Sequence, residues 1–147
     1  MSDLNLPAGK RTIMLVDDDP EIVAVVRTML EQNGYNVRCA YSGLQLFAAL
    51  AEQKPDLIIL DVMMPNLDGL EILARLKGVP GTSSIPVILL TALNQYEEIF
   101  EGYKTGADHY ITKPFTKAQL MTGIHRLLSG DQSHPEESLY RGQGDNF

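Results

Sequence analysis

A chain of 147 residues, 44% hydrophobic and 21% charged, is long enough to bury one core without disulfide or metal staples and too apolar for global disorder. Its formal net charge of -7 argues against a surface that binds nucleic acid, which needs clustered Lys and Arg, so no direct nucleic-acid partner is expected. Cys39 is the one cysteine and reads as a small strand hydrophobe; with no secretory signal at the N-terminus and no apolar run of the ~18 residues a membrane span needs, a cytoplasmic protein without membrane insertion is expected.

The first apolar run, TIMLV from Thr12 to Val16, is too short for a helix and reads as a buried strand ending at the acidic DDDP. Pro20 suits a first helical turn, and Ile22, Val23, Val26, Met29 and Leu30 recur at helical spacing until Asn33-Gly34. Asn36 to Ala40 alternates like a strand, Ser42 can cap a helix from Gly43 to about Glu52, and Lys54-Pro55 breaks it. LIIL, Leu57 to Leu60, is a second apolar strand ending at a carboxylate, Asp61. A loop is expected at Met63, Met64, Pro65 and Asn66, a short helix from Gly69 to Lys77, and turn chemistry in GVPGTSS, Gly78 to Ser84. PVILL, Pro86 to Leu90, is a third apolar strand leading to Thr91 and Ala92. A helix from about Gln95 to Lys104 stops at Gly106, and a short strand runs from His109 to Ile111. After Thr112-Lys113-Pro114-Phe115 comes a last amphipathic helix, Lys117 to Leu128. The expected organisation is a flexible segment at 1–9, one domain over 10–130 and a flexible polar tail at 131–147.

Five strands alternating with five helices imply a doubly wound α/β domain with a five-stranded parallel sheet, because parallel strands need crossover helices. Ligands of such sheets lie beyond the carboxyl ends of the strands, where Asp17, Asp18, Asp61, Thr91 and Lys113 all fall. Carboxylates crowded into one crevice call for a hard divalent cation, and Mg²⁺ suits one or two carboxylates with waters left for phosphate oxygens to replace. The cation and Lys113 would keep Asp61 ionised, with Asp61 attacking phosphorus in line and the Thr91 hydroxyl holding a phosphoryl oxygen.

VDDDP (Val16 to Pro20), LDVMMPNLDG (Leu60 to Gly69), LLTA (Leu89 to Ala92) and GADHYITKPF (Gly106 to Phe115), in this order, resemble the CheY-like receiver domain of two-component response regulators. The resemblance runs from about Lys10 to Ser129 and implies the flavodoxin-like receiver fold with strand order 2-1-3-4-5. It further implies Asp17 and Asp18 as the metal pair, Asp61 as phosphoacceptor and metal ligand, and the Met63 backbone carbonyl completing the metal site. Thr91 becomes the switch hydroxyl, Lys113 the phosphate-contacting ammonium, and Tyr110 the aromatic whose packing changes; a cis peptide before Pro114 is common in the family. Met63 and Leu93 flank the approach of water to phosphorus and would tune dephosphorylation, while small Ala92 leaves the phosphate accessible. The partners implied are a sensor histidine kinase or histidine phosphotransfer protein, a downstream protein effector, and a phosphorylation-dependent homodimer. The molecule would be a phosphoacceptor signalling domain and not a turnover enzyme.

Each residue also has a plainer use. Asp17 to Asp19 could complement a helix dipole, Asp61 start a turn, Thr91 cap a helix, Lys113 be a solvated charge, and Tyr110 be core. His109, His125 and His134 lack metal-ligand spacing, and Met14, Met29, Met64 and Met121 read as filling. Two rival functions remain open on sequence. One is a Mg²⁺-dependent phosphohydrolase of the haloacid-dehalogenase-like class with Asp17 as nucleophile, although Pro20-Glu21 departs from that pattern. The other is an interaction module with the same fold that takes no phosphate.

Overall fold

The computed structural model describes residues 10–64, 67–92 and 103–129. The expected tails, Leu93 and most of the helix expected from Gln95 lie outside the described residues. The main sheet comprises β1 (Thr12–Val16), β2 (Asn36–Ala40), β3 (Leu57–Asp61), β4 (Val87–Ala92) and β5 (His109–Lys113). All neighbours are parallel, in the order β2-β1-β3-β4-β5, as the resemblance implies.

Every residue of β1 and β3 is buried, because helices cover both faces of the sheet and leave no place for a polar alternation. The pleat sends successive side chains to opposite cores. Met14, Val16, Ile58, Leu60, Val87 and Leu89 pack with Leu46 and Leu50 of α2 (Gly43–Glu52) and with Ile72, Leu73 and Leu76 of α3 (Gly69–Gly78). Ile13, Leu15, Leu57, Ile59, Ile88 and Leu90 pack on the other face with Val23, Val26 and Leu30 of α1 (Pro20–Gln32) and Leu120 and Ile124 of α5 (Lys117–Leu128). Residues 103–105 are the described part of a further helix, α4. Each such Leu or Ile contributes roughly 1.5–3 kcal/mol by leaving water, so truncating fully buried Ile59 to Ala is expected to cost about 2–5 kcal/mol.

Helix ends follow local chemistry. Asp19 caps α1, its carboxylate accepting from the Glu21 N–H at 2.9 Å, with Pro20 in the first turn; Gly34, at φ +90°, lets the chain turn away after Asn33. Ser42 caps α2 by accepting from the Gln45 N–H at 3.1 Å. Thr116 and Gln119 form a reciprocal capping box on α5 that the sequence reading did not anticipate.

Three strands run further than their apolar stretches. The ladder continues through Asp61↔Leu90, Thr91↔Thr112 and Ala92↔Lys113, so Asp61, Thr91 and Lys113 belong to strands and do not merely follow them. Pro86 precedes β4, offering its carbonyl to the Ile58 N–H at 2.9 Å. Where a plain loop was expected, Met63–Met64 pairs antiparallel with Leu67–Asp68 in a small hairpin. The Lys113-Pro114 peptide is cis.

At the opposite, amino end of the strands a clasp joins three segments. The Lys77 ammonium donates to the Ser83 and Ile85 carbonyls at 3.2 and 2.8 Å and to Asp108 Oδ2 at 3.0 Å, and that oxygen also accepts from the Val87 N–H at 2.8 Å. Gly106 has φ +120°, and a Cβ there would lie 3.1 Å from the Lys77 stem. Among the described residues, no helix is long and apolar enough to cross a membrane.

Candidate functional site

The carboxyl ends of β1, β3, β4 and β5 bring four of the expected site residues into one crevice. Asp17 leaves β1 with its N–H bonded to the Ala40 carbonyl at 3.2 Å, while its Oδ1 accepts from the Asp19 N–H at 3.0 Å. Its other oxygen, Oδ2, is buried without a hydrogen-bond partner. Burial pushes the Asp17 carboxyl up to about 7, helped by the neighbouring Asp61 carboxylate, against the opposing pull of the Asp19 N–H and of the Lys113 charge. Two carboxyl groups are neighbours here, which is the crowding expected of this crevice.

Asp61 ends β3, 2% exposed, and forms an ion pair with the Lys113 ammonium. β4 lies between these two strands, so the lysine stem crosses the end of β4, where Ala92 stands in register with Lys113. A small residue there leaves room for the crossing. Thr91 is 1% exposed and its buried Oγ has no partner. Parallel register places Thr91 and Leu89 on the same face as Thr112 and Tyr110. Tyr110 packs against the core of that face and meets Tyr103 of α4 edge to face, ring centroids 5.2 Å apart.

Asp18 stands beside Asp17, half-buried, and Met63 opens the hairpin just past Val62, whose N–H is tied to the Leu90 carbonyl at 3.0 Å. Asp19 turns its side chain to the helix and away from this group, so the helix-capping use holds for Asp19 alone of the acidic run. No set of three Asp, Glu, His or Cys side chains forms a metal cage among the described residues. Mg²⁺ does not require one, since it keeps most of its waters and takes one or two carboxylates. A buried carboxylate oxygen without a donor, next to a second carboxylate, is a donor set that a divalent cation would satisfy.

The histidines stay out of the site. His109 packs against α5 at Gly123, where a Cβ would meet its ring at 3.0 Å, and burial lowers its pKa toward the neutral form; His125 is exposed on α5. Cys39 is free and half-buried, its Sγ 3.9 Å from the Arg27 guanidinium, and burial pushes its thiol up. Two residues near the site were not singled out from sequence, Tyr103 and Gly69. A glycine opening a helix, where it is entropically unfavourable, was a signal for the latter.

A doubly wound parallel sheet with a lysine-paired aspartate buried at its carboxyl edge defines the class of open α/β domains whose ligands meet the strand ends. Within that class the chain belongs to the response regulator receiver domain family, whose model matches residues 13–125. It is similar to the DNA-binding dual master transcriptional regulator RpaA of Synechocystis sp., 39% identical over 87% of this chain and 53% of that protein. It is also similar to the phosphate regulon transcriptional regulatory protein PhoB of Pseudomonas aeruginosa, 38% identical over 86% of this chain and 57% of that protein. Among solved structures, the receiver domain of a signal transduction histidine kinase from Syntrophus aciditrophicus superposes with a TM-score of 0.76 at 38% identity, covering 83% of this chain and 92% of that one.

The chain spans about half the length of these curated relatives, 53% of RpaA and 57% of PhoB. It is a response-regulator receiver domain of two-component signalling, and receiver domains of this family bind Mg²⁺ in general. Membership removes the ground for the haloacid-dehalogenase-like reading. The expectation of no nucleic-acid partner needs correcting in scope: the net charge speaks only of these residues, and a longer relative, of which the match covers 53%, is by name DNA-binding.

Proposed function

We propose that Asp61 accepts a phosphoryl group from a phosphohistidine on a sensor kinase or phosphotransfer protein. The observation that carries this reading is the ion pair of buried Asp61 with half-buried Lys113, at the strand ends that also carry two buried oxygens without hydrogen-bond partners, Asp17 Oδ2 and Thr91 Oγ. An Asp61 carboxylate oxygen forms the new bond to phosphorus, the P–N bond of the donor breaks, and its electron pair returns to the imidazole. Lys113 moves from carboxylate to phosphoryl oxygen, and Thr91 turns its hydroxyl to another. Asp17, Asp18, Asp61 and the Met63 carbonyl would hold Mg²⁺, which when bound supplies positive charge to the phosphoryl oxygens. The domain thus assists its own phosphorylation without turning over a substrate.

As Thr91 moves, the space beside it on the same sheet face opens to Tyr110, and the surface of α4, β5 and α5, from about Gln95 to Leu128, changes its preferred arrangement. A protein effector or a second copy of the chain would read that surface. Amide exchange over these residues, compared with and without beryllofluoride, should differ; identical exchange contradicts the switch. The receiver domain is assigned to residues 10–130, and the cytoplasm, which supplies a kinase with ATP, is its place of action. Loss of phosphate is set by Met63 and Leu93, whose apolar side chains cannot orient water, with Ala92 leaving room for a partner phosphatase. Met63→Asn with Leu93→Glu should lose phosphate faster than wild type.

Acetyl phosphate with Mg²⁺ tests the central claim. Intact-mass analysis should show one added phosphoryl group that hydroxylamine removes, and none on Asp61→Asn, an isostere with a poor nucleophile. Stoichiometric labelling of Asp61→Asn, or none on wild type, overturns the proposal; the latter outcome would leave a receiver fold used for binding alone.

A further inference from the structure

Gly69 opens α3, and a Cβ built on it would lie 2.8 Å from the Asp61 carbonyl oxygen and 2.8 Å from Val62 Cα. Non-bonded carbons settle at about 3.5–4.0 Å, and both obstacles are backbone, which cannot swing aside as a side-chain tip can. Neither partner is loose. The β3 side is held by Asp61 pairing with Leu90 and by the Val62 N–H to the Leu90 carbonyl at 3.0 Å. α3 is held by Ile72, Leu73 and Leu76, all buried against the sheet. Gly78, at the other end of the same helix, has nothing within 4 Å of its own Cβ position.

We propose that Gly69 is a positioning residue for the phosphoacceptor: its bare Cα lets the start of α3 close directly on the Asp61–Val62 peptide and fixes the direction in which the Asp61 carboxylate leaves the strand. The inference rests on Asp61 being the phosphoacceptor. A methyl group at position 69 must displace either the helix start or that peptide, and the peptide carries the nucleophile at one end and leads to the Met63 carbonyl at the other. In-line transfer tolerates such displacement poorly, a misplacement of about 1 Å costing on the order of 100-fold.

The test compares Gly69→Ala and Gly78→Ala with wild type for thermal stability and for the rate of labelling by acetyl phosphate in excess Mg²⁺, counted per folded molecule. Gly69→Ala should label at least about ten-fold more slowly at saturating donor, a loss that more acetyl phosphate does not recover. Gly78→Ala, with the same change of helix propensity, should stay within about two-fold of wild type. If Gly69→Ala folds poorly, the rate is measured in sucrose, which favours the compact state, and the deficit should persist there. Labelling at the wild-type rate once folded, or a deficit abolished by sucrose or by more donor, overturns the inference. Wild type failing to label at Asp61 removes the phosphoacceptor reading itself, an outcome distinct from an unaffected Gly69→Ala.

Discussion

Asp17 combines burial, a missing donor on Oδ2 and a carboxylate neighbour, and its protonation is therefore linked to folding. Its folded value, about 7, lies above the 3.8 of an unperturbed aspartate, so the folded state holds the proton more tightly than the unfolded chain. The resulting stability is fully present below the unfolded value and is lost as pH rises through the folded one. In metal-free protein, melting temperature should fall further for wild type than for Asp17→Asn between about pH 5 and about pH 7.5, and Mg²⁺ should restore wild type at the higher pH. Equal pH slopes for the two proteins would contradict the assignment. The types and chain positions of Asp17, Asp61, Thr91 and Lys113 were legible because polar residues abruptly ended apolar runs. What sequence could not give was which oxygens lack donors, since that depends on side chains from different strands meeting in space. Gly69 was hidden for the same reason: its constraint comes from β3, outside α3.

At the scale of elements, polarity was a poor guide to where strands stop. Asp61, Thr91 and Lys113 continue the ladder because backbone groups pair regardless of side-chain polarity, and the pairs Thr91↔Thr112 and Ala92↔Lys113 hold them at fixed register. The two-residue arms of the hairpin Met63–Met64 and Leu67–Asp68 are too short to leave any periodic pattern. Helix caps read better, since Ser42 and Pro20 act within their own segments. The contact between α4 and β5 through Tyr103 and Tyr110 was invisible, being an aromatic pair between elements, and it carries a prediction. An edge-to-face pair is worth about 0.5–1.5 kcal/mol, and it must break if Tyr110 turns inward on activation. Tyr103→Leu should then bind beryllofluoride more tightly by roughly 2- to 10-fold, and Tyr103→Phe, which keeps the ring, should match wild type. Titration of the three proteins decides this; equal affinities would show that the pair does not oppose the turn.

Across the whole molecule, chemistry gathers at the carboxyl end of the sheet and the Lys77–Asp108 clasp at the amino end. Lys77 retains 13% side-chain exposure with three oxygens around its ammonium, so Asp108→Asn leaves a largely buried charge with neutral acceptors in place of its carboxylate partner. Asp108→Asn should cost on the order of 1–3 kcal/mol in denaturant unfolding while leaving the per-molecule labelling rate unchanged. A lowered labelling rate at unchanged stability would show that the two ends are not separate in this way. The doubly wound order was legible from the alternation of short apolar runs and helical spacing. The clasp was not, because its partners are 31 residues apart and each alone looks like a surface charge.

Among the described residues β5 is an edge strand that pairs with β4 alone, and the clasp grips it just before His109, so a tilt of β5 against β4 would pivot near Asp108. The arm is five residues, roughly 16 Å at about 3.3 Å per residue. A tilt of about 4° then carries Lys113 through ~1 Å, comparable to the precision that in-line chemistry demands, while the pivot hardly stirs. Small rotations therefore become sizeable strokes at the charged tip, and the same arm works in reverse: a partner leaning on the outer edge of β5 would retune the distance between ammonium and carboxylate without touching either.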